Sequence, residues 1–344
     1  MDTLTHALAG AVIARIYTGR ERGGFTPGRW TWLGAGAAAF PDVDIVALAA
    51  GPLEYLAFWH RGPTHSLLLW PLWSAALAGA VGWRRRKYLD LGILFALALL
   101  SHIALDVITV YGTQVFFPLS RWRAALGTTF ILDPVVSAAL VVGLVLALAR
   151  RSASPGAWAL GIVLVWVGLQ GAMKLQARGL AEAWAKRTHV AAQAVAALPQ
   201  PGSPALWKLV VMGPENLHVA YVDLWSSRVR RIDPGAGRVA RWLAHYRPRA
   251  ALRWTALTRF GGDPATRRLA AAAWHQPALA LYRAFARFPR LYRIDRRGAG
   301  TCVWFVDARF ELPELTPPFR YGVCRRGPSG AWRLQRLPRS SASG

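Results

Sequence analysis

Long apolar runs fill the first half of the chain. Five of them approach or reach the roughly 20 residues that a helix needs to cross the hydrocarbon layer of a bilayer, and a shorter one precedes them. These runs are residues 31–50, 64–83, 89–111, 131–149 and 157–173, with the shorter one at 4–17. The pattern predicts a mainly α fold, in which residues 1–173 form a polytopic transmembrane bundle of about five to six helices.

The second half has a different texture. Four stretches rich in β-branched and aromatic residues are separated by Gly and Pro, which is typical of strands. They read WKLVVM, LHVAYVDLW, TCVWFVDARFEL and FRYGVCR. Residues 174–197 are predicted to continue the last span as an amphipathic helix, and Asp263 to open another helix that is interrupted near Pro277. We therefore expect residues 174–337 to form a small α+β extramembrane domain and residues 338–344 a flexible tail.

Charge orients the predicted spans, because Lys and Arg beside spans are retained on the cytoplasmic side. Ten basic residues lie in one set of alternate loops and three in the other, which places the N-terminus and the second half outside. The ten are Arg15, Arg20, Arg22, Arg29, Arg84, Arg85, Arg86, Lys87, Arg150 and Arg151, and the three are Arg61, Arg121 and Arg123. The start MDTLTH is acidic and polar, which argues against a signal peptide.

The second half is strongly basic. Residues 174–344 hold 29 of the 42 Lys and Arg but 9 of the 17 acids. The arginines are spread along the segment, so a solvated basic surface is one interpretation. For an outward-facing domain we favour anionic lipid headgroups as partners over nucleic acid. Cys302 and Cys324 have no metal-ligand spacing, and whether they form a bridge is left open.

Ionisable residues interrupt the apolar runs in three places. In SHIALDVITVYGT, His102 and Asp106 are four residues apart and so share a helix face. A charged group at that depth costs roughly 2.5–3.5 kcal/mol on insertion scales unless it is paired or faces a polar cavity. The alternative is a His–Asp pair that satisfies itself between helices. We favour a functional site.

The other two places follow a proline or contain one. In AFPDVDIVA, Pro41 precedes Asp42 and Asp44, and the alternative is that Asp42 simply caps a new helical turn. HRGPTHS combines His60, Arg61 and His65 around a Gly-Pro turn. There the alternative is an interfacial loop with a snorkelling arginine and Thr64 as a helix cap.

Two further residues lie near predicted helix starts. His6 follows DTLT, where a lone histidine is more often structural than a ligand. Asp133, in LDPVV, is best explained as a helix N-cap with a proline at the first helical position. The predicted topology nevertheless brings both residues, with the acids and histidines above, toward the outer face.

Together, three histidines and three aspartates supply nitrogen and carboxylate ligands suited to Zn²⁺, with Mn²⁺ or Fe²⁺ as alternatives. A divalent metal would also relieve the electrostatic cost of buried carboxylates. The predicted ligands are His6, Asp44, His65, His102 and Asp106, with Asp42 able to complete or bridge the sphere. Asp42, His60 and Arg61 are the predicted catalytic residues, of which His60 would move a proton and Arg61 would hold developing negative charge.

The segments DTLTHALAG, FPDVD, HRGPTHSL and SHIALDVITVYGT, in this order, resemble the YdjM-like family of membrane-bound metal-dependent hydrolases. The resemblance covers about the first 140 residues and implies a bacterial inner-membrane hydrolase whose site includes the eight residues just named. A more distant likeness to the zinc-dependent phospholipase C and P1 nuclease group favours a phosphoester substrate. Several histidines of that group are missing here, and so is its mature N-terminal Trp.

The leading hypothesis is a metal-dependent hydrolase acting on an amphiphilic, lipid-like phosphoester or other ester. A non-enzymatic transporter or lipid-binding scaffold could use the same polar cluster as an ion path. A third hypothesis, a nucleic-acid-associated membrane protein, requires the basic half to face the cytoplasm.

Overall fold

Helices and sheets occupy separate parts of the chain. The computed structural model describes residues 1–18, 25–82, 88–233, 235–327 and 330–338. The chain divides into two compact units, Met1–Ala172 and Met173–Gly344. Six of the basic residues used above to orient the spans, at positions 20, 22 and 84–87, lie outside the described residues, as does the predicted tail from residue 339 onward.

The first unit is helical. Its α-helices are interrupted by tighter and wider turns between residues 40 and 65, where the polar motifs lie. In chain order the elements are α1 Thr3–Tyr17, α2 Pro27–Ala39, a 3₁₀ segment Phe40–Ala50, α3 Pro52–Glu54, a π-helical turn Tyr55–Trp59, a 3₁₀ turn Pro63–His65, α4 Trp70–Gly82, α5 Tyr88–Val107, α6 Pro134–Ala149 and α7 Ser154–Arg187.

Three helical segments among the described residues are long and apolar enough to cross a membrane. They are Pro27–Ala50, which joins α2 to the 3₁₀ segment, Tyr88–Val107 and Ser154–Arg187. The predicted count of five to six spans is not confirmed. The 16-residue α6 extends only about 24 Å at 1.5 Å per residue, against a hydrocarbon core of about 30 Å.

Helix α1 lies at the centre of the first unit, because it contacts α2, α5 and α6. Its two sides belong to different apolar clusters. One cluster joins Ala14 to Trp30, Leu94 and neighbouring side chains of α2, α4 and α5. The other joins Val12 to Leu140 and further residues of α5, α6 and α7. His6 lies one turn before Ala9, a member of the second cluster, and the central position of α1 explains why its side chain is fully buried.

Two glycines set the distance between α1 and α2. A Cβ on Gly10 would lie 2.2 Å from the Gly34 carbonyl oxygen, and a Cβ on Gly34 would lie 2.4 Å from that of Gly10. Small residues at a helix crossing let backbones approach closely, which is a common packing mode in membranes. This crossing brings the start of α1 against the end of α2.

Asp133 has the structural role that its sequence context favours. Its carboxylate accepts hydrogen bonds from the backbone N–H groups of Val135 and Val136 at the start of α6. It also accepts from Trp166 Nε1 at 3.0 Å and Gln170 Nε2 at 2.8 Å on α7. The side chain therefore caps one helix and joins it to the next.

The second unit contains two four-stranded antiparallel sheets, each with its strands in sequential order. The last part of α7 packs Ala177, Ala181 and Ala185 against Trp207 and Leu209 of the first sheet. The strands are β1 Ala194–Pro199, β2 Leu206–Met212, β3 Asn216–Asp223 and β4 Thr255–Thr258 in the first sheet, and β5 Pro289–Arg297, β6 Gly300–Asp307, β7 Tyr321–Arg326 and β8 Arg333–Arg336 in the second. Between strands lie α8 Arg238–Ala244, α9 Pro264–Trp274 and α10 Ala280–Phe285.

The predicted helix over residues 174–197 is too long. The helix ends at Arg187, and the alanine-rich residues that follow form β1, whose pairing with β2 overrides their helical propensity. Cys302 and Cys324 face each other on β6 and β7 and form a disulfide, which settles the question that spacing left open.

A buried lysine of the first sheet contacts the segment that follows β6 of the second sheet. Lys208 Nζ on β2 donates hydrogen bonds to the carbonyl oxygens of Ala308 at 2.8 Å and Glu311 at 3.1 Å. Burial lowers the pKa of Lys208 to about 8, while the carboxylate of Glu311 opposes that shift. The ammonium form is held by these two backbone carbonyls.

The glycine crossing predicts opposite effects for two alanine substitutions on α2. Gly34→Ala should lower the free energy of unfolding by about 1–3 kcal/mol, because its Cβ overlaps the backbone of α1. Gly36→Ala meets open space and should stabilise by up to about 1 kcal/mol through helix propensity. Both effects can be measured as the temperature at which half of the detergent-solubilised variant is no longer monodisperse. Equal midpoint temperatures for the two variants would contradict the close crossing of α1 and α2.

Candidate metal centre

Asp106 lies at the centre of the polar cluster in the first unit and contacts most of its members. It lies one turn after His102 on α5, and the two side chains are 1 % and 0 % exposed. Its carboxylate oxygens lie 3.2 Å from His6 Nε2, 3.2 Å from His65 Nε2 and 2.8 Å from Arg61 Nη2. The Met1 amino group also contacts this carboxylate. The predicted shared face of α5 therefore points into a group of residues from several elements.

Different local structures carry the other histidines to this point. His6 lies one turn before Gly10 on α1, and its ring stacks on that of His102 with centroids 3.6 Å apart. His65 ends the 3₁₀ turn that follows the Gly-Pro step, and its side chain is fully buried. The structure thus brings the imidazoles at positions 6, 65 and 102 together.

Hydrogen bonds at Nδ1, the ring nitrogen that points away from Asp106, show which nitrogen carries the proton in His65 and His102. His102 Nδ1 lies 2.6 Å from the Ala38 carbonyl oxygen, to which it donates. The Thr64 hydroxyl donates to the Pro41 carbonyl, so its oxygen accepts from His65 Nδ1 at 3.0 Å. Both rings therefore carry their proton on Nδ1 and present a bare Nε2, which is the tautomer that binds metals.

Three electron-rich atoms then face one another. His65 Nε2 and His102 Nε2 lie 2.9 Å apart, and Asp106 Oδ2 lies 3.2 Å and 3.5 Å from them. Asp106 Oδ2 is buried and makes no hydrogen bond within the described part of the chain. Lone pairs at such distances repel one another unless a cation lies between them.

These distances fit a tetrahedral metal site. Bonds of about 2.0–2.1 Å to nitrogen and oxygen place neighbouring ligand atoms about 3.3 Å apart. Two overlapping triads meet the spacing that an ion requires, with ligand atoms within 4.8 Å of one another: His65, His102 and Asp106, and His6, Asp42 and His102. Because His102 belongs to both triads, the cluster could hold one ion or two adjacent ones.

The two aspartates of FPDVD have different surroundings. Asp42 Oδ1 lies 3.7 Å from His102 Nε2, and the Thr3 hydroxyl donates to Asp42 at 2.6 Å. Asp44 lies outside both triads and accepts the backbone N–H of Arg61 at 2.9 Å. The structure thus places Asp42 closer to the candidate ligands than Asp44, the acid that the sequence analysis assigned to the metal.

Arg61 is almost fully buried, with 2 % of its surface exposed. Besides the Asp106 carboxylate, its guanidinium donates to the Thr109 hydroxyl at 2.7 Å and lies over the Tyr111 ring. Its φ of 57° is left-handed, which is uncommon for a side chain of this size. The positive charge is therefore fixed beside the carboxylate of the candidate metal ligand.

His60 lies at the edge of the cluster, with 22 % of its side chain exposed. Its Nδ1 is 3.2 Å from Asp44 and 2.9 Å from the Tyr55 hydroxyl. A carboxylate beside Nδ1 fixes the orientation of the imidazole and leaves Nε2 for proton transfer. Asp44 and Tyr55 are thus positioned to orient His60.

Sequence reasoning missed several polar partners of the site. Thr64 was considered only as a helix cap, although it joins Pro41 to His65. Thr3, Tyr55, Thr109 and Tyr111 gave no signal, because a single hydroxyl or aromatic residue in an apolar run is common. Thr64 could have been suspected from its place inside HRGPTHS.

Comparisons with known proteins agree with this placement of the motifs. The family described as "YdjM inner membrane protein" matches residues 1–177, which include every residue of the candidate site. A curated relative, "Uncharacterized protein YfhP" of Bacillus subtilis (strain 168), is 29 % identical over 174 residues, which are 49 % of this chain and 52 % of the relative. The chain thus spans about half the length of that relative. No solved structure gives a significant match. The chain belongs to the YdjM inner membrane protein family, and its location is the inner membrane.

Proposed function

We propose that this protein is a membrane-bound, metal-dependent hydrolase. One observation carries the proposal. The unprotonated Nε2 atoms of His65 and His102 lie close together in a buried position, beside the Asp106 Oδ2 atom, which accepts no hydrogen bond within the described residues. A self-satisfied His–Asp pair does not explain it, because in such a pair a ring N–H would point at the carboxylate. Here both ring N–H groups of His65 and His102 point away from Asp106.

Nitrogen and carboxylate donors of this number suit Zn²⁺, with Mn²⁺ and Fe²⁺ as alternatives. His65, His102 and Asp106 would hold the ion, and His6 and Asp42 would complete the set or hold a second one. When bound, such an ion supplies Lewis-acid activation of water for hydrolysis.

The chain's own residues would perform the remaining steps. Arg61 holds the Asp106 carboxylate beside the histidines, and its fixed charge favours an anionic reacting group such as a phosphoester. His60, oriented through Nδ1, would deliver a proton from Nε2 to the leaving group. Asp44 would act through His60 and the backbone of Arg61.

The surroundings of Asp42 favour an amphiphilic substrate. Asp42 is 20 % exposed, whereas His6, His65 and His102 are fully buried. Large apolar side chains close in sequence to Asp42, or next to its hydrogen-bond donor Thr3, are exposed: Val43 by 45 %, Val46 by 70 % and Leu4 by 69 %. A lipid-like ester could lay its chain on such residues while its polar group reaches the acid.

The disulfide supports an extracytoplasmic second unit. Disulfides persist in oxidising compartments and are rare in the cytoplasm. The bond between Cys302 and Cys324 therefore agrees with the charge-based expectation that residues 174–337 lie outside.

One feature also favours a second candidate function. Ionisable side chains buried in a helical bundle are typical of ion and proton paths through membranes. A transporter would move protons or metal across proteoliposomes without turning over any ester. Hydrolysis of an ester without linked flux would exclude it.

Metal content tests the candidate ligands. Asp106→Asn should lower the metal that co-purifies with the detergent-solubilised protein at least tenfold, because a neutral amide replaces the shared anionic donor. Asp90→Asn makes the same change at the other end of α5 and should leave metal content unchanged. Elemental analysis beside size-exclusion profiles measures both. Equal metal in the two folded variants would overturn the centre.

Turnover tests the role of His60. Once a phosphoester or carboxylic ester substrate is found, His60→Gln should lower kcat by about 10²–10⁴-fold, because general acid catalysis is lost. Its metal content should stay at the wild-type level, since His60 belongs to neither triad. Parallel loss of metal and activity would instead make His60 part of the metal site.

Reporter fusions test the placement of the second unit. Alkaline phosphatase fused after residue 338 should be active, and green fluorescent protein fused at the same place should not fluoresce. The two reporters fold on opposite sides of the membrane, so the pair reports on which side the second unit lies. The reverse result would place the basic unit in the cytoplasm and revive the nucleic-acid hypothesis.

A further inference from the structure

A long irregular segment leaves the first sheet of the second unit between β3 and α8. It is called the arginine loop here and comprises residues 225–233 and 235–241, so that it includes the first turn of α8. Loops of this length without regular structure are uncommon in compact domains and often functional. Residue 234 lies outside the described residues.

Side-chain hydrogen bonds hold the arginine loop against the fold. Arg230 donates to the Asp223 carboxylate at 2.6 Å and to the Leu243 carbonyl oxygen at 3.3 Å. Arg241 donates to the Ala236 carbonyl oxygen at 2.6 Å. The loop is therefore a shaped surface that is anchored where β3 ends and where α8 ends.

Four large apolar side chains of the loop remain in solvent. Trp225 is 61 % exposed, Val229 41 %, Ile232 54 % and Val239 70 %. Within the described residues, no buried cluster includes them. Apolar side chains gathered on one exposed segment mark an interaction surface more often than isolated ones do.

Arginines alternate with these apolar side chains. Arg228, Arg231 and Arg238 are exposed and make no ion pair among the described residues, and the loop's single acid is Asp233. Exposed guanidinium groups beside Trp and aliphatic side chains match the boundary of an anionic bilayer, where phosphates lie next to acyl chains. Trp is itself enriched at that boundary.

We propose that the arginine loop docks the second unit onto the surface of an anionic bilayer. A bilayer is always within reach, because the chain belongs to an inner-membrane family and only residues 188–193 separate α7 from β1. Single-stranded nucleic acid fits less well. It is bound by aromatic stacking platforms, and three of the four exposed apolar side chains here are aliphatic. This inference does not depend on the proposed hydrolase activity.

Nitroxide depth measurements test the proposal on the full chain. The native cysteines are bonded to each other, so Val239→Cys offers one free thiol for a spin label, and Leu334→Cys on β8, 40 % exposed in the wild type, is the control position. In vesicles of phosphatidylcholine with a quarter phosphatidylglycerol, the label at 239 should collide with oxygen and be shielded from a water-soluble nickel complex. The label at 334 should collide with nickel. Equal nickel accessibility at the two positions would overturn the proposal.

Charge reversal separates lipid docking from simple apolar contact. Changing Arg228, Arg231 and Arg238 together to Glu should raise nickel accessibility at position 239 to the level of the control position. Changing Arg268, Arg296 and Arg333, exposed arginines elsewhere in the second unit, should leave it unchanged. In vesicles of phosphatidylcholine alone, nickel accessibility at position 239 should rise to the level of the control position even without the charge reversal. Shielding that survives the loop reversal, or that appears only when an oligonucleotide is added, would contradict the inference.

Discussion

One buried carboxylate, that of Asp106, organises the first hundred residues. Its side chain is 1 % exposed on an apolar helix, where an isolated charge would be very costly. The structure surrounds it with the guanidinium of Arg61 and with three imidazoles, two from other segments and one from the same helix. The 3₁₀ turn Pro63–His65 brings the imidazole of His65 to the carboxylate, and the 3₁₀ segment Phe40–Ala50 carries Asp44, which accepts the backbone N–H of Arg61. The fold of the polar motifs therefore follows from neutralising this charge.

The same constraint explains which parts of the site could be predicted. His102 and Asp106 lie on one continuous helix, so their spacing alone predicts a shared face. His60, Arg61 and His65 occur close together around a Gly-Pro turn and were expected to converge. His6 was uncertain alone, and its ring contact with His102 depends on how closely two glycines let α1 approach α2.

The assignment of Asp42 and Asp44 could not be predicted from sequence. The residues that carry them form a 3₁₀ segment, in which each residue turns by about 120°. Two residues apart, the acids point in different directions, one toward His102 and the other toward His60. An α-helix or a strand would have given a different angle, and the apolar pattern around Pro41 does not distinguish these possibilities.

Apolarity predicted the helical character of the first unit better than the number of spans. Residues 67–69 are all leucine and could extend α4, but the turn that positions His65 delays the helix to Trp70. In the second unit, the strands rich in β-branched and aromatic residues were predicted. The other four strands, β1, β4, β5 and β8, were not predicted, because their strand form depends on pairing with the predicted ones.

The spread of the donor atoms along the chain has a consequence for biosynthesis. His6 is made 100 residues before Asp106. At roughly 5–20 residues per second, at least about five seconds separate the two. During that interval the imidazole of His6 has no Asp106 carboxylate to contact. The candidate ligand set is complete only after α5 has been made, so the metal site proposed above could form only after that point in synthesis.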